Sequence, residues 1–397
     1  MAGLDIGTTK TCTVVASATP TGLEVIGFGE APSSGLRKGV ITDLEEAVRS
    51  IEAATERAER MAGVHVSQVY VGVTGEHVRS TNNRGVVAVN GEDREVVRGD
   101  VRRAVEASKL IDVGAERQII HAIPRHFTVD GHDGVTDPLG MSGARLEVDT
   151  HVVTGGNSFI TNVLKCVHRA GLEPAGIVFE PLASSASTLS AEERQAGVAL
   201  LDIGGGTTDI AVYAGGAAVH SSTIPVGGNM LTSDITLCLK TTTAEAERLK
   251  RTVASLYGPR DGEVDVKALD GRTTLHVTTA QLAEIVAARV DEIFALAKAQ
   301  IARGIPRDVM LAEVVLTGGG ARLEGIERAA AMAFGVPARV GVPSSIGGLT
   351  EAVKKPEFAT AVGLVLFGPG GDGTAWNGSP GRHPLTRVAR WFGDLWN

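Results

Sequence analysis

Two distant segments of the chain share one arrangement of an aspartate, a glycine turn and hydroxyl side chains. They are Leu4-Asp5-Ile6-Gly7-Thr8-Thr9-Lys10 and Leu201-Asp202-Ile203-Gly204-Gly205-Gly206-Thr207-Thr208-Asp209. Backbone N–H groups in a glycine-rich turn bind anions, and threonine hydroxyls add donors. A carboxylate at the end of a strand can hold Mg²⁺, mostly through the water that this ion retains. The pair therefore predicts two hairpins that clamp the phosphates of one nucleotide from opposite sides of a cleft.

A third glycine turn, Gly318-Gly319-Gly320, follows the predicted strand Val314–Thr317. Without side chains this turn allows close backbone approach to a ribose or a purine. Taken alone, such a turn is equally well an ordinary connection between a strand and a helix. Other nucleotide and hydrolase motifs are missing from the sequence, namely the P-loop, the third glycine of the dinucleotide fingerprint, HExxH and GxSxG.

Strands and helices that would position these turns are predicted from apolar periodicity and caps. Leu4–Ile6, Thr11–Ala16 and Leu23–Phe28 indicate a meander, and a capping box at Thr42-Asp43-Leu44-Glu45 opens a helix that ends near Met61. Residues 198–226 repeat the strand, turn and strand order of the first segment. Two helices are expected after it, at about Thr243–Leu256 and Thr279–Ala302, followed by a strand at Glu313–Leu316.

A charge-rich stretch, residues 77–155, interrupts this α/β pattern. It contains one predicted helix near Val101–Lys109 and the turn-rich segment Val129–Gly134. The α/β pattern resumes with a helix from Gly156 to Arg169 and a strand at Gly176–Phe179. We therefore expect a small α+β module inserted between two halves of the first domain.

Composition limits the class of protein. The 397 residues carry a net charge of −8, with 43% hydrophobic and 21% charged residues, which is typical of a chain that buries a core. A mildly acidic chain has no overall attraction for nucleic acid. Three cysteines, Cys12, Cys166 and Cys238, are too far apart in sequence for a zinc motif or a disulfide framework. With no signal peptide and no apolar run of membrane-spanning length, a reducing cytosol is expected.

The last residues form a separate predicted element. A Gly/Pro-rich linker at 368–383 precedes a stretch that includes Trp391 and Trp396. On a helical wheel the apolar side chains fall within roughly 160° and the charged ones lie opposite. The apolar side chains are those of Leu385, Val388, Ala389, Trp391, Phe392, Leu395 and Trp396, and the charged ones those of Arg387, Arg390 and Asp394. This pattern predicts a membrane-surface helix; docking on the protein's own core or on a partner helix are the alternatives.

Taken together, these motifs resemble the FtsA family of bacterial cell-division proteins within the actin-like ATPases. Further stretches that carry the resemblance are Val71–His77, Gly134–Met141, Gly171–Pro174, Ile224–Gly228 and Phe358–Leu364. The resemblance implies an α/β, duplicated two-lobed fold (ribonuclease H-like), with a small inserted α+β subdomain and a C-terminal amphipathic helix. The implied divisions are lobe I at 1–76 and 156–197, closed by about 351–367; the insert at 77–155; lobe II at 198–235 and 312–350; a helical subdomain at 236–311; the linker at 368–383; and the amphipathic helix at 384–397.

The resemblance also implies roles for individual residues. Asp5 and Asp202 would hold Mg²⁺ through water, and Glu180 would be the catalytic, water-orienting carboxylate. Phosphate contacts would come from Gly7, Thr8, Thr9, Lys10, Gly204, Gly205, Gly206, Thr207 and Thr208. Adenosine contacts would come from Glu247, Lys250, Gly318, Gly319 and Gly320. For Glu247 and Lys250, an ion pair on a solvated helix face is the alternative interpretation.

As a function, the resemblance implies an ATP-binding protein that polymerises and tethers the FtsZ ring to the cytoplasmic membrane. Implied partners are the C-terminal tail of FtsZ, received by the region 236–311, further copies of the chain, an anionic membrane surface and other division proteins, but no nucleic acid. The protein would lie peripherally on the cytoplasmic side of the inner membrane at the septum, with at most slow ATPase activity. Alternatives are a pilus-assembly adaptor of the PilM type and an actin-superfamily kinase or phosphatase for small molecules.

Overall fold

The first three strands form the meander that the sequence predicts. In the computed structural model, which describes residues 1–20, 22–90, 93–306, 309–344 and 346–367, these strands are β1 (Ala2–Ile6), β2 (Lys10–Thr19) and β3 (Gly22–Pro32). Two short strands, β4 (Leu36–Arg37) and β5 (Val40–Ile41), pair with each other. Helix α1 (Leu44–Ala62) begins where the Asp43 side chain accepts the Glu46 N–H at 3.1 Å, and strand β6 (Gln68–Val73) follows it.

The charge-rich stretch folds as a module of its own. Its elements are β7 (Arg79–Ala88), α2 (Arg98–Ser108), β8 (Arg117–Val129), β9 (His132–Val135) and β10 (Arg145–Gly156). The four strands form one antiparallel sheet in the order β7-β10-β8-β9, and α2 packs on one of its faces. An inserted α+β unit was expected here.

After the insert the chain returns to the first sheet. This part comprises α3 (Asn157–Arg169), β11 (Glu173–Phe179), α4 (Glu180–Thr188) and α5 (Ala191–Ala196). Strand β11 lies parallel to β6, which lies parallel to β1, so the sheet order is β11-β6-β1-β2-β3, with one short strand, Gly347–Gly348, on the far edge. We call this sheet and its helices lobe I.

Lobe II repeats the design. Strands β12 (Val198–Ile203), β13 (Thr208–Ala214) and β14 (Ala217–Ile224) form the second meander. Two helices follow it, α6 (Gly228–Leu239) and α7 (Thr243–Thr252). Helix α6 was missed by the sequence analysis, and the boundary predicted between residues 235 and 236 falls within it. The helix predicted over Thr243–Leu256 is shorter than expected because the Leu256 N–H donates to the carbonyl of Glu324 in a distant loop, at 3.0 Å.

The remaining elements complete both lobes. They are the hairpin β15 (Glu263–Lys267) and β16 (Thr274–Thr278), helix α8 (Thr279–Gly304), strand β17 (Glu313–Thr317), helix α9 (Ile326–Phe334), strand β18 (Ala338–Val340), strand β19 (Gly347–Gly348), and helices α10 (Thr350–Val353) and α11 (Ala359–Phe367). Lobe II has the sheet order β14-β13-β12-β17-β18. Helix α11 returns to lobe I, where it packs on α4 and β1.

The order of strands explains where the two glycine hairpins lie. In each lobe the first strand is flanked by its own meander on one side and by a parallel strand on the other. Every residue of β1 and of β12 is buried, so each first strand is a central one. Both strands therefore deliver their last residues, and the turns after them, from the middle of a sheet.

Candidate nucleotide cleft

The first hairpin is a tight turn between β1 and β2. The Gly7 N–H donates to the Lys10 carbonyl at 3.1 Å. A Cβ atom on Gly7 would lie 2.8 Å from that carbonyl oxygen, closer than such contacts allow. Asp5 lies two residues before Gly7 and is 9% exposed. The glycine is thus needed for the turn that follows the aspartate.

The second hairpin has the same internal bond and an additional support. Its Gly204 N–H donates to the Thr207 carbonyl at 2.9 Å. The first N–H groups of α6, at Gly228 and Asn229, donate to the carbonyls of Gly204 and Gly205, both at 2.8 Å. The start of α6 is therefore attached to the hairpin, which orients the glycine turn relative to the rest of lobe II.

The two hairpins face each other at close range. A Cβ atom on Gly205 would lie 2.0 Å from the Thr9 hydroxyl oxygen, and one on Gly206 would lie 2.5 Å from the Thr8 hydroxyl oxygen. The Thr9 hydroxyl also donates to the Asn229 side chain at 3.4 Å. Since no side chain fits at either glycine, the glycines of the second turn permit this approach of the lobes.

Not every predicted phosphate contact faces the cleft. Thr208 is fully buried, and its hydroxyl donates to the Val226 carbonyl at 2.8 Å, within lobe II. Thr207 is 5% exposed. The Lys10 ammonium contacts the Glu30 carboxylate at 2.5 Å and the Glu357 carbonyl at 2.9 Å. In this structure Thr8 and Thr9, with the backbone of both turns, lie where the two glycine turns meet.

Hydroxyl groups from lobe I hold the aspartates of lobe II. Asp202 Oδ2 accepts from the hydroxyls of Ser184 on α4, at 2.5 Å, and Thr360 on α11, at 3.0 Å. Asp209 Oδ1 accepts from Thr74, which follows β6, and from Thr223 on β14. The bonds from Ser184, Thr360 and Thr74 cross from lobe I to lobe II, so the relative position of the lobes depends on them.

Four buried carboxyl groups share the cleft, those of Asp5, Glu180, Asp202 and Asp209. Burial, with a smaller contribution from the charge of Asp202, raises the pKa of Asp5 to about 7 and that of Asp209 to about 7. Burial also raises the pKa of Asp202. For Glu180, burial and then the charges of the three aspartates hold the pKa well above its usual range. Ionising all four carboxyl groups at the same time requires a cation beside them.

The carboxyl groups fit a hydrated divalent cation better than a directly ligated one. Among the described residues, no group of three or more His, Cys, Asp or Glu side chains is placed to hold a metal ion. Asp202 already accepts two hydrogen bonds at one oxygen, which leaves its other oxygen for water or a cation. Mg²⁺ keeps several water molecules and is usually held by one or two carboxylates. Asp5 and Asp202 are suited to that mode.

Glu180 lies at the junction of β11 and α4, as the first residue of the helix. It is 7% exposed, and in the described part of the chain no hydrogen bond to its carboxyl group is formed. A Cβ atom on Gly72 of β6 would lie 3.2 Å from Glu180 Oε1. The glycine thus makes room for the buried carboxyl group of Glu180.

On the side predicted for adenosine, Glu247 and Lys250 form the ion pair that was the alternative interpretation. Their side chains are 2.6 Å apart. The pair also supports α6, since Lys250 donates to the Gly228 carbonyl at 3.1 Å and the Thr232 hydroxyl donates to Glu247 at 2.6 Å. Glu247 and Lys250 therefore form an ion pair and also lie close to the second hairpin.

The third glycine turn packs directly on the second hairpin. Gly318 has a φ of 81°, and a Cβ atom there would lie 2.3 Å from Asp202 Oδ1. A Cβ atom on Gly320 would lie 2.4 Å from Ile203 Cγ2, whereas nothing lies within 4 Å of one on Gly319. The three glycine turns thus converge on one place, with Gly319 the most open.

Sequence reasoning missed several polar residues of the cleft. Asp209 was quoted only as the end of the second motif, although its position on a buried strand two residues after Thr207 could have marked it. Ser184, Thr360 and Thr74 gave no signal, since a hydroxyl on a helix or at a strand end is ordinary. Their role depends on which elements the fold brings together.

The predicted membrane-contacting residues, Leu385, Val388, Trp391, Phe392, Leu395, Trp396, Arg387 and Arg390, lie outside the described residues. Among the residues that the structure describes, no helix is both long enough and apolar enough to cross a bilayer.

Comparison with known proteins points in one direction. The family model of the cell division protein FtsA matches residues 199–363, and that of the SHS2 domain inserted in FtsA matches residues 75–154. The cell division protein FtsA of Pseudomonas aeruginosa is 41% identical over 370 residues, which cover 92% of this chain and 88% of that protein. FtsA of Neisseria meningitidis is 40% identical over 367 residues, covering 91% and 88%.

Solved structures show the same fold at lower sequence identity. The PilM–PilN type IV pilus biogenesis complex superposes with a TM-score of 0.65 at 19% identity, covering 92% of this chain and 98% of that one. MreB5 of Spiroplasma citri bound to ADP gives a TM-score of 0.54 at 16% identity, covering 92% and 95%. The predicted fold class, the actin-like two-lobed fold with an inserted subdomain, is confirmed for the described residues.

Proposed function

The chain belongs to the FtsA family of bacterial cell-division proteins, and on this basis we propose that it binds ATP with Mg²⁺ between its two lobes, polymerises, and tethers the FtsZ ring to the membrane. Membership in the family makes it a cell-division protein with an actin-like fold. The nucleotide, the filament and the tether are the proposal. The proposal that a nucleotide binds between the lobes rests on one observation. Two Asp-x-Gly hairpins from separate lobes contact each other beside four buried carboxyl groups.

Each part of the cleft has a proposed task. The backbone of the hairpins at Gly7 and at 204–206, with the hydroxyls of Thr8 and Thr9, binds phosphate oxygens. Asp5 and Asp202 hold hydrated Mg²⁺, whose charge offsets the repulsion among the carboxylates. Gly318–Gly320 and the Glu247–Lys250 pair flank the adenosine. The fold supports these tasks, since a relative of the same fold, MreB5, is described as bound to ADP.

Hydrolysis would be a secondary property. Glu180, buried among like charges, is placed to orient a water molecule near the phosphates, in a slow ATPase. No other side chain in the described cleft is suited to act as a dedicated base toward a small-molecule substrate. The kinase or phosphatase alternative therefore gains no support, and the likeness to the PilM complex, at 19% identity, concerns the fold alone.

The membrane part of the proposal rests on the sequence of residues 384–397. A single short amphipathic helix binds a bilayer weakly and reversibly. A filament that presents many such helices binds far more tightly through effective concentration. Polymerisation and membrane binding would then reinforce each other, with FtsZ received by the region 236–311.

The test is reconstitution on vesicles that contain anionic lipid. Full-length protein with ATP and Mg²⁺ should co-sediment with vesicles and recruit FtsZ, whereas a 1–382 truncation should do neither. The truncation should still bind ATP with unchanged affinity, since the cleft is intact. If both proteins sedimented equally with vesicles, the tail would have no role in membrane binding. If the full-length protein bound vesicles but did not recruit FtsZ, the proposed tether would be wrong.

A further inference from the structure

Lys10 lies between two acidic side chains, only one of which belongs to the cleft. We propose that Glu30 holds the Lys10 ammonium in a resting position and competes for it with the phosphates of the nucleotide, so that Glu30 sets the affinity for ATP. The inference rests on the proposed ATP site and adds to it a residue outside the glycine turns that tunes binding.

The strand register places these residues in one row. Asp5 of β1 pairs with Cys12 of β2, and Cys12 pairs with Glu30 of β3. Directly opposite residues on antiparallel strands project to the same face, and so does Lys10, two residues before Cys12. Asp5 and Glu30 are two strands apart, about 10 Å. A lysine side chain that starts between them can reach either one.

In this structure the ammonium is on the Glu30 side. Lys10 Nζ lies 2.5 Å from Glu30 Oε1 and 2.9 Å from the Glu357 carbonyl oxygen. It also lies 4.3 Å from the centre of the Phe358 ring, which stabilises a cation from its face. These three contacts define the resting position, at the edge of the cleft.

Charge favours a move toward the cleft when a nucleotide enters. The charge of Lys10 interacts with that of Glu30 on one side and with that of Asp5 on the other. Glu30 is 37% exposed and can be solvated by water when Lys10 leaves, whereas Asp5 is 9% exposed. A partly exposed ion pair is weak, so phosphate oxygens can replace Glu30 as the partner of Lys10.

The segment after α10 connects this exchange to the third glycine turn. The Pro356 carbonyl accepts from the Gly318 N–H and from the Thr317 hydroxyl, both at 3.1 Å. The next residue, Glu357, supplies the carbonyl that holds Lys10. Movement of Lys10 therefore changes a segment that also supports the proposed adenosine side.

The test compares ATP affinity, measured by calorimetry with saturating Mg²⁺, in Glu30→Gln and wild-type protein. We expect Glu30→Gln to bind ATP about threefold to tenfold more tightly, since the competitor is removed. Glu24→Gln is the matched control: it removes the same charge from the same strand, roughly 20 Å away, and should leave the affinity unchanged.

A double-mutant cycle with Lys10→Met separates competition from a general effect of charge. In the Lys10→Met background, Glu30→Gln should have no effect, because there is no ammonium to withhold. An equal gain in that background, or no gain in the single variant, overturns the inference while the ATP site stands. Absence of ATP binding by the wild-type protein would instead remove the proposed function, and the inference with it. Thermal melting without nucleotide verifies that each variant is folded.

Discussion

The two hairpins have similar sequences but are held differently. In lobe I, Asp5 receives no hydrogen bond from a side chain of the described residues, and the cation whose charge acts on it is the ammonium of Lys10. In lobe II, Asp202 and Asp209 each accept hydroxyl groups, three of the four from lobe I itself. One hairpin is thus free to respond to charge, and the other is fixed across the lobe boundary.

This difference indicates how a duplicated motif can serve two purposes. If both aspartates were fixed by hydroxyls, no group could adjust when a nucleotide enters. If neither were fixed, the lobes would lose the hydroxyl-to-carboxylate bonds that join them at the cleft. Substitutions in the two hairpins test whether one aspartate is fixed and the other is free.

The largest expected effect is common to both hairpins. Asp5→Asn and Asp202→Asn should each weaken Mg·ATP binding by about 3 kcal/mol, roughly a hundredfold, because a buried charge opposite Mg²⁺ is lost. Calorimetry with and without Mg²⁺ measures this. The loss should vanish when Mg²⁺ is chelated; a loss of the same size without Mg²⁺ would mean that the carboxylates act on the nucleotide and not on the ion.

Contact between the hairpins gives the second prediction. Gly205→Ala should weaken ATP binding about tenfold, since its Cβ atom would lie 2.0 Å from the Thr9 hydroxyl and push the turns apart. Gly99→Ala, where nothing lies within 4 Å, is the control and should bind as the wild type does. Normal affinity of the Gly205 variant would show that the turns need not meet.

Stability should distinguish the fixed aspartate from the free one. Asp202→Ala leaves the hydroxyls of Ser184 and Thr360 without their acceptor, whereas Asp5→Ala removes a buried carboxyl group that has no such donors. We expect Asp202→Ala to be less stable than Asp5→Ala by about 2 kcal/mol in urea unfolding. Equal stabilities would contradict the contrast between the hairpins.

The last prediction concerns how stability depends on pH. Burial raises the pKa of Asp209 to about 7, so between about pH 4 and 7 the folded protein binds more protons than the unfolded chain. This group therefore lowers the free energy of unfolding as pH rises through that range. Asp209→Asn keeps the hydrogen-bond acceptor and removes the charge. It should equal the wild type near pH 4 and exceed it by about 1 kcal/mol or more at pH 8.

The stability of Asp209→Asn must be compared with that of the wild type at each pH, because buried histidines change stability with pH in the opposite direction. Burial lowers the pKa of His77 and of His121 to about 4, so the wild-type protein also gains stability as pH rises toward neutrality. The difference between Asp209→Asn and wild type cancels this contribution. Asp261→Asn, at an exposed loop position, should show no difference from wild type at any pH.

Much of the fold was predictable where local signals were strong. The meander of lobe I, helix α1 and strand β17 occur where apolar runs and caps predict them. The cap of α1 lies one residue later than predicted: it is Asp43 with Glu46, and not Thr42 with Glu45. Helix α6 was missed because Gly228-Asn229 and two threonines, Thr232 and Thr236, give its segment low helix propensity. What favours helix there is tertiary: its first N–H groups bond to the carbonyls of the second hairpin.

Sequence alone determined the repeated aspartate and glycine turns and the resemblance to an actin-like family, because strand burial and turn geometry are local requirements that leave residue-level traces. Tertiary structure decided which hydroxyls hold Asp202 and Asp209, that Gly205 meets Thr9, and that Lys10 rests on Glu30. These contacts join residues far apart in the chain, and their partners are common residue types, so nothing local distinguishes them until the sheets bring them together.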